Sequence, residues 1–228
     1  KKGLSLSEYG IKVKKGRIQK FDTEEKFYQA IGLDWIPPEM REDTGEIELA
    51  EKHFLPKLIE VKDLKGDLHI HSNYSIEPSH DLGASSMEEM LAVAKKFGYE
   101  YLGFSEHNPS ISKHTSQRIY EILTKRNEKI EQLKSSIKYV RIFKLLEIDI
   151  LPSGNLAIDN KSLDLLDAAI VSVHSVFKMD RENMTKRVIN GLSHKKAKIL
   201  GHPTGRMLNL RTGYELDWEK IFEFCKKN

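Results

Sequence analysis

Cysteine is nearly absent from this chain: among 228 residues there is one, Cys225, so no internal disulfide can form. The sequence does not open on a basic stretch followed by an apolar one, as an export signal would. The two absences point to a reducing, intracellular setting, the cytoplasm. Long hydrophobic runs are missing as well, and none approaches the ~20 residues that a membrane helix needs, so no membrane is expected as a partner. An excess of charge of one sign is also lacking. Lysine and arginine number 37 against 34 aspartates and glutamates, a net of +3, which permits nucleic-acid binding without arguing for it. With thiolate all but unavailable, any metal site here has to be built from histidine and carboxylate.

What is present is an ordinary globular composition, 39% hydrophobic and 31% charged, ample for a core. Lys1 stands where an initiator methionine would, and Phe224 to Asn228 reads as helix interior, so the chain is expected to be a piece of a longer one.

The organising stretch is Asp67-Leu68-His69-Ile70-His71-Ser72. In a strand the side-chain period is two, so His69 and His71 share one face while Leu68 and Ile70 anchor the other. Two imidazoles on one face can share a metal, although a solvated surface strand also carries such a pair by accident. The rest of the chain decides between these readings. From about Val61 onward one arrangement recurs five times: an apolar run of strand length, a metal-competent residue at its C-terminal end, then usually a polar helical segment. The runs deliver, in order, His69 with His71; Glu106 and His107 after Tyr99 to Ser105; Glu147 after Val140 to Leu146, with Asp149 pointing the same way; His174 after Ala168 to Val173; and His202 after Lys198 to Gly201. Strands alternating with helices imply parallel β/α units, whose sites gather at the C-terminal strand ends. Four of five strand ends occupied by histidine and the fifth by glutamate is not a pattern that scatter produces. His80 and Asp81, in the loop after the first strand, are within reach of the cluster, whereas His53, His114 and His194 lie away from strand ends.

Residues before about Val61 lack this repeat. Tyr9 to Val13 and Arg17 to Phe21 alternate around Lys14-Lys15-Gly16, a β-hairpin pattern; Asp22 with Glu25 reads as a capping box for a short helix ending at Gly32; and the prolines at 37 and 38 predict an extended stretch from Trp35 to Arg41. A boundary is therefore expected at residue 61, with a small α+β module over 1–61 and the metal-binding domain over 62–228.

With these residues laid out, the chain from Lys65 onward resembles the PHP (polymerase and histidinol phosphatase) superfamily. The resemblance rests on Asp67-Leu68-His69-Ile70-His71-Ser72, His107, Glu147 within Leu146-Glu147-Ile148-Asp149, Ser172-Val173-His174-Ser175 and Gly201-His202-Pro203. It implies an α/β fold, a distorted TIM-like β/α barrel holding two or three divalent metal ions. His69 and His71 would hold one ion, Glu147 would bridge two, His174 and His202 would complete the second, and His107 would help hold a third, with His80 or Asp81 as further ligands. Gly3 to Gly10, Thr23 to Leu33 and Ile36 to Glu42 resemble the end of the thumb in bacterial and archaeal family X DNA polymerases, in which a PHP domain follows at once. Glu106 stands where the family commonly has aspartate, and the loop from Ser75 to Gly83 is longer than usual. The family's closing Asp-x-His pair is not found after His202, so the site and the barrel are expected to be incomplete in this chain.

A histidine and carboxylate set suits Zn, Mn, Fe or Co. It also suits phosphoester hydrolysis by metal-activated water, with Glu147 and His174 as catalytic residues and Arg206 and Arg211 gripping substrate phosphate. The resemblance implies DNA as partner, with 3′–5′ exonuclease or 3′-phosphatase activity in DNA repair, and the remainder of a polymerase chain as a second partner. Two readings compete. The metal cluster can serve only to brace the domain or to position DNA. An amidohydrolase also opens with His-x-His, but a bridging lysine is expected there in place of Glu147.

Overall fold

The structure, a computed structural model, describes residues 5–7, 10–12 and 17–228. The chain divides into two compact units, Lys1–Glu60 and Val61–Asn228.

In the first unit, β1 (Ser5–Ser7), β2 (Gly10–Lys12) and β3 (Ile18–Gln19) form an antiparallel sheet in that order. Ile11 pairs with Gln19 and Lys12 with Ile18. The hairpin turn expected at Lys14 to Gly16 lies outside the described residues. Helix α1 (Glu24–Ala30) is capped by Thr23, whose hydroxyl accepts from the Lys26 amide at 3.3 Å. The expected box from Asp22 is thus displaced by one residue, and Asp22 instead pairs with Lys26. The stretch expected to be extended from Trp35 contains a 3-10 turn over Pro38–Met40, because proline at a first helical position loses no hydrogen bond. Helix α2 (Glu46–Glu51) follows, with the Glu46 carboxylate folded back onto the amides of Asp43 and Thr44.

In the second unit the strands form two parallel sheets. One has β4 (Gly66–Ile70), β5 (Tyr101–Phe104) and β6 (Arg141–Lys144); the other has β7 (Glu147–Asp149), β8 (Ala169–Ser172) and β9 (Ala197–Leu200). The single third run expected from Val140 to Leu146 is therefore divided. At Leu145-Leu146 the chain leaves one sheet, and Glu147 opens a strand of the other instead of closing the first. Continuity survives through the backbone: Leu145 N–H donates to Phe104 O, Glu147 N–H to Ser105 O and Glu106 O, and Asn108 N–H to Glu147 O. The bridge between His107 and Glu147 joins the sheets at the level of the histidines.

The helices carry the expected signals. Helix α3 (Met87–Phe97) has a full capping box from Ser86 and Glu89 and stops at Gly98, left-handed at φ 69°. Helix α4 (Ser116–Ser136) is capped by Thr115, α5 (Asn160–Leu163) by Asp159, α6 (Arg181–Leu192) by Asp180, and α7 (Trp218–Lys227) by Asp217. Gly191 lies inside α6, where a Cβ would press on the Ile150 side chain.

Each sheet has its own core. Leu91, Leu102, Phe104, Ile130 and Ile142 pack on the first, and Leu146, Ile148, Ile170, Val171, Met184 and Val188 are buried around the second. Helix α4 serves both, with Ile119, Ile122 and Leu123 in the second core and Ile130 and Leu133 in the first. Between those halves its buried face is polar: Arg126 and Asn127 sit at the seam.

Candidate metal centre

Parallel pairing puts the C-terminal ends of β4, β5, β8 and β9 at one edge, and the histidines lie at or just beyond those ends. Glu147 lies beneath them at 1% exposure. Around its two oxygens are His69 Nε2 at 3.0 Å, His71 Nε2 at 3.3 Å, His107 Nδ1 at 3.2 Å, His174 Nε2 at 3.2 Å and His202 Nε2 at 2.7 Å. Beside them, Asp149 Oδ1 lies 2.6 Å from His174 Nδ1 and 3.2 Å from His80 Nε2. Asp81, exposed, reaches His107 Nε2 at 3.4 Å.

The sequence places these groups by specific local devices. Gly201 allows β9 to come close to β8, since a Cβ there would collide with the Ser172 hydroxyl and approach His69 Cε1 to 3.2 Å. His202 follows with a positive φ of 24°, a conformation that non-glycine residues enter only when the surroundings impose it. The loop after β4 is strapped by Gly83, whose N–H donates to Ser72 O, and by Ser79, whose N–H donates to Asn108 O. This strap brings His80 and Asp81 over the cluster. Asn108 Oδ1 accepts from the Asp149 amide at 2.9 Å and so fixes β7 beside the second-strand histidine.

The electrostatics are those of a preformed cation site. Burial would push Glu147 upward, but the imidazoles of His174, His202, His69 and His71 outweigh it and hold this carboxyl far below the usual range. Asp149 is likewise lowered, burial being outweighed by His174. Burial, only partly offset by Glu147, depresses His107 to about 4, whereas in His174 the Asp149 and Glu147 carboxylates overcome burial and raise it to about 9. Five imidazoles cannot all be satisfied by one carboxylate. His71 Nδ1 and His107 Nδ1 are buried without a hydrogen-bond partner, although His107 Nδ1 is 3.2 Å from Glu147 Oε2. A buried imidazole nitrogen close to a carboxylate oxygen yet unbonded to it is the arrangement an intervening cation completes. Three groups have donors mutually within 4.8 Å: His69, Glu147 and His202; His71, His107 and Glu147; and His80, Asp149 and His174. The donor set therefore fits divalent metal.

The expected residues divide as follows. His69, His71, His107, Glu147, His174, His202 and His80 converge, with Asp81 at the margin. Arg206 lies exposed on a loop; Arg211 donates from Nε to Gly205 O at 2.6 Å and its guanidinium lies 3.7 Å over the Phe177 ring. Glu106 turns away from the cluster: fully buried, it accepts from Arg126 Nε at 2.7 Å and from the Ser72 hydroxyl and amide. Burial raises its pKa, but Arg126 and Ser72 outweigh that and keep it lowered. Two buried arginines behind the site belong to no motif. Arg126 also donates to Phe104 O, and Arg187 donates to the carbonyls of Ile150, Leu151 and Ser175, clamping the ends of β7 and β8. Their trace in the sequence is position, since each falls on the apolar stripe of its helix.

Residues 67–227, which carry this histidine-rich carboxylate centre, match the family profile of the PHP domain; the chain belongs to that family. Residues 1–42 match the DNA polymerase beta thumb. Over 227 residues the chain is 37% identical to the DNA polymerase/3'-5' exonuclease PolX of Bacillus subtilis (strain 168), an alignment covering 99% of this chain and 38% of that protein. It is also 28% identical over 165 residues to a probable phosphatase of Thermoanaerobacter sp. (strain X514), covering 71% of this chain and 60% of the relative. The chain thus spans well under half the length of its Bacillus relative.

Proposed function

We propose that this chain is the metal-dependent phosphoesterase part of a family X DNA polymerase, acting on DNA 3′ ends as a 3′–5′ exonuclease or 3′-phosphatase in repair. The observation that carries the reading is Glu147, a buried carboxylate with five imidazole nitrogens within 3.3 Å. The names of the Bacillus and Thermoanaerobacter relatives support it. In this reading the two parallel sheets belong to one PHP-type barrel, residues 62–228 are the phosphoesterase domain and residues 1–61 the end of the thumb with its linker. The remainder of the polymerase is its partner, and the cytoplasm its compartment.

His69, His71, His107, Glu147, His174 and His202, with His80, Asp149 or Asp81, would hold two or three ions of Zn, Mn, Fe or Co. What such ions supply is Lewis acidity towards phosphoryl oxygen and towards water. The protein's own contribution is orientation and charge. Asp149 accepts a hydrogen bond from Nδ1–H of His174, which turns Nε2 of that ring towards Glu147 and His202. Glu147 holds a fixed negative charge in a site screened from water on its inner side. Arg206 and Arg211 stand for the contacts to backbone phosphate.

A second reading draws on the same geometry: ligands come from both sheets, so a bound ion would brace the domain even without catalysis. One experiment separates the two. The protein reconstituted with each metal is assayed on oligonucleotides with 3′-labelled hydroxyl or phosphate ends, beside Glu147→Gln. Hydrolysis by the wild type, lost in a variant whose circular dichroism is unchanged, is expected. Metal uptake without hydrolysis of any end establishes the scaffold instead.

A further inference from the structure

The loop after His202 is a short hairpin that the site itself does not require. Met207 and Arg211 pair through both backbone hydrogen bonds at 2.9 Å, Asn209 at φ 61° makes the turn, and Leu208 and Leu210 stand 75% and 80% exposed at its tip. Its root is rigid. Gly205 N–H donates to His202 O at 2.9 Å and Tyr214 N–H to Thr204 O at 3.1 Å; a Cβ on Gly213 would collide with Thr204 O. Arg211 stacks on Phe177, three residues beyond His174. Two loops that carry site histidines thus converge on the base of this hairpin, and it rises at the rim of the centre.

Two exposed leucines on a braced turn are costly in water and contribute nothing to either core. They border only a shallow, open hollow formed by the hairpin itself and otherwise stand free in solvent, so the matching ligand is one that admits a wedge. The charge around them selects it further. Arg206 and Arg211 stand at the base of the hairpin, and the sequence carries no aspartate or glutamate between Glu182 and Glu215. A polyanion with apolar faces between its stacked units meets both requirements, and leucine and methionine are among the side chains that enter base steps.

We infer that the Met207–Arg211 hairpin is an unstacking wedge: Leu208 and Leu210 enter beside the terminal base of a duplex DNA 3′ end, with Arg206 on the neighbouring phosphate, and separate that nucleotide for the metal centre. The inference rests on the 3′-end reading above and adds to it how a paired end is opened.

The test uses a duplex with 2-aminopurine as its 3′-terminal nucleotide, attached through a phosphorothioate to resist cleavage, and a second duplex whose terminal pair is mismatched. Binding is followed by anisotropy, and unstacking by the rise in 2-aminopurine fluorescence. The wild type is expected to raise the fluorescence on binding. The double variant Leu208→Ser/Leu210→Ser, checked for fold by circular dichroism and metal content, is expected to lose the rise and to shift its preference towards the mismatched end, which is already frayed. A wild type that binds the duplex with no rise, or a variant that keeps both rise and preference, overturns the wedge alone. A wild type that binds no DNA end overturns the 3′-end reading with it.

Discussion

At the scale of single residues, two buried carboxylates lie on opposite sides of the same backbone ladder and have opposite roles. Glu147 faces the imidazoles; Glu106, next to His107, faces Arg126. Glu147→Gln removes the negative charge that every surrounding imidazole shares. We expect the variant to fold but to lose most of its bound metal, measured by elemental analysis after dialysis. Arg126→Met does something different: it leaves Glu106 buried and unpaired, a change that costs about 3–5 kcal/mol in denaturant unfolding, while adding Glu106→Leu restores part of it. The pair also has a pH signature. The folded-state pKa of Glu106 is depressed, so its contribution is present above the unfolded carboxylate range and is lost as pH falls through the lower folded value. Arg126→Met is therefore expected to move the acid-unfolding midpoint, followed by far-ultraviolet circular dichroism, to higher pH. In the sequence Glu147 was readable because it closes an apolar run as the other four runs close on histidine. Glu106 was not, since it precedes a histidine in the same way and only the third dimension shows that its side chain points the other way.

At the scale of elements, the strand-then-ligand rhythm of the sequence marks most of the strands of the second unit. It fails where periodicity carries no information about partners. Val140 to Leu146 is one apolar run, yet its last two residues cross from one sheet to the other, because Leu145 and Leu146 are buried on either side of the seam. The polar residues in the apolar stripe of α4 mark that seam: Arg126 reaches Glu106 and Phe104 O, and Asn127 Nδ2 donates to Leu165 O at 2.8 Å. Helix α4 is the strut that fixes one sheet against the other. Leu123→Ala, fully buried in its second-core half, is expected to cost about 2–5 kcal/mol by denaturant titration. Gly201→Ala tests a different element junction. Its added methyl group has to displace Ser172 or the His69 ring, so metal affinity is expected to fall while unfolding midpoints of the metal-free protein change less.

At the scale of the whole molecule, the candidate ligands span two sheets that the backbone joins only along a short ladder beside Glu147. His69 lies in, and His71 and His107 follow, strands of the first sheet, whereas Glu147, Asp149, His174 and His202 come from or follow strands of the second; two of the three ligand groups draw on both, and the third joins His80, from the loop after β4, to Asp149 and His174. The bridge at His107 and Glu147, the Asn108 side chain on the Asp149 amide and the strut α4 also cross this seam. An ion held there binds only the native arrangement, so it adds stability by mass action, ~2.7 kcal/mol at a free concentration 100-fold above its dissociation constant. That stability is expected to be local, because no described residue of the thumb-like unit Lys1–Glu60 is a member of the ligand groups. Chelation is therefore expected to lower the thermal midpoint of Val61–Asn228 and leave the transition of Lys1–Glu60 in place. Hydrogen exchange should locate the loss, with faster exchange at the amides of Leu145, Glu147 and Asn108, which carry the inter-sheet ladder, and little change at the α1 amides. Uniform acceleration across both units after chelation would show instead that the metal holds the whole chain rather than this seam.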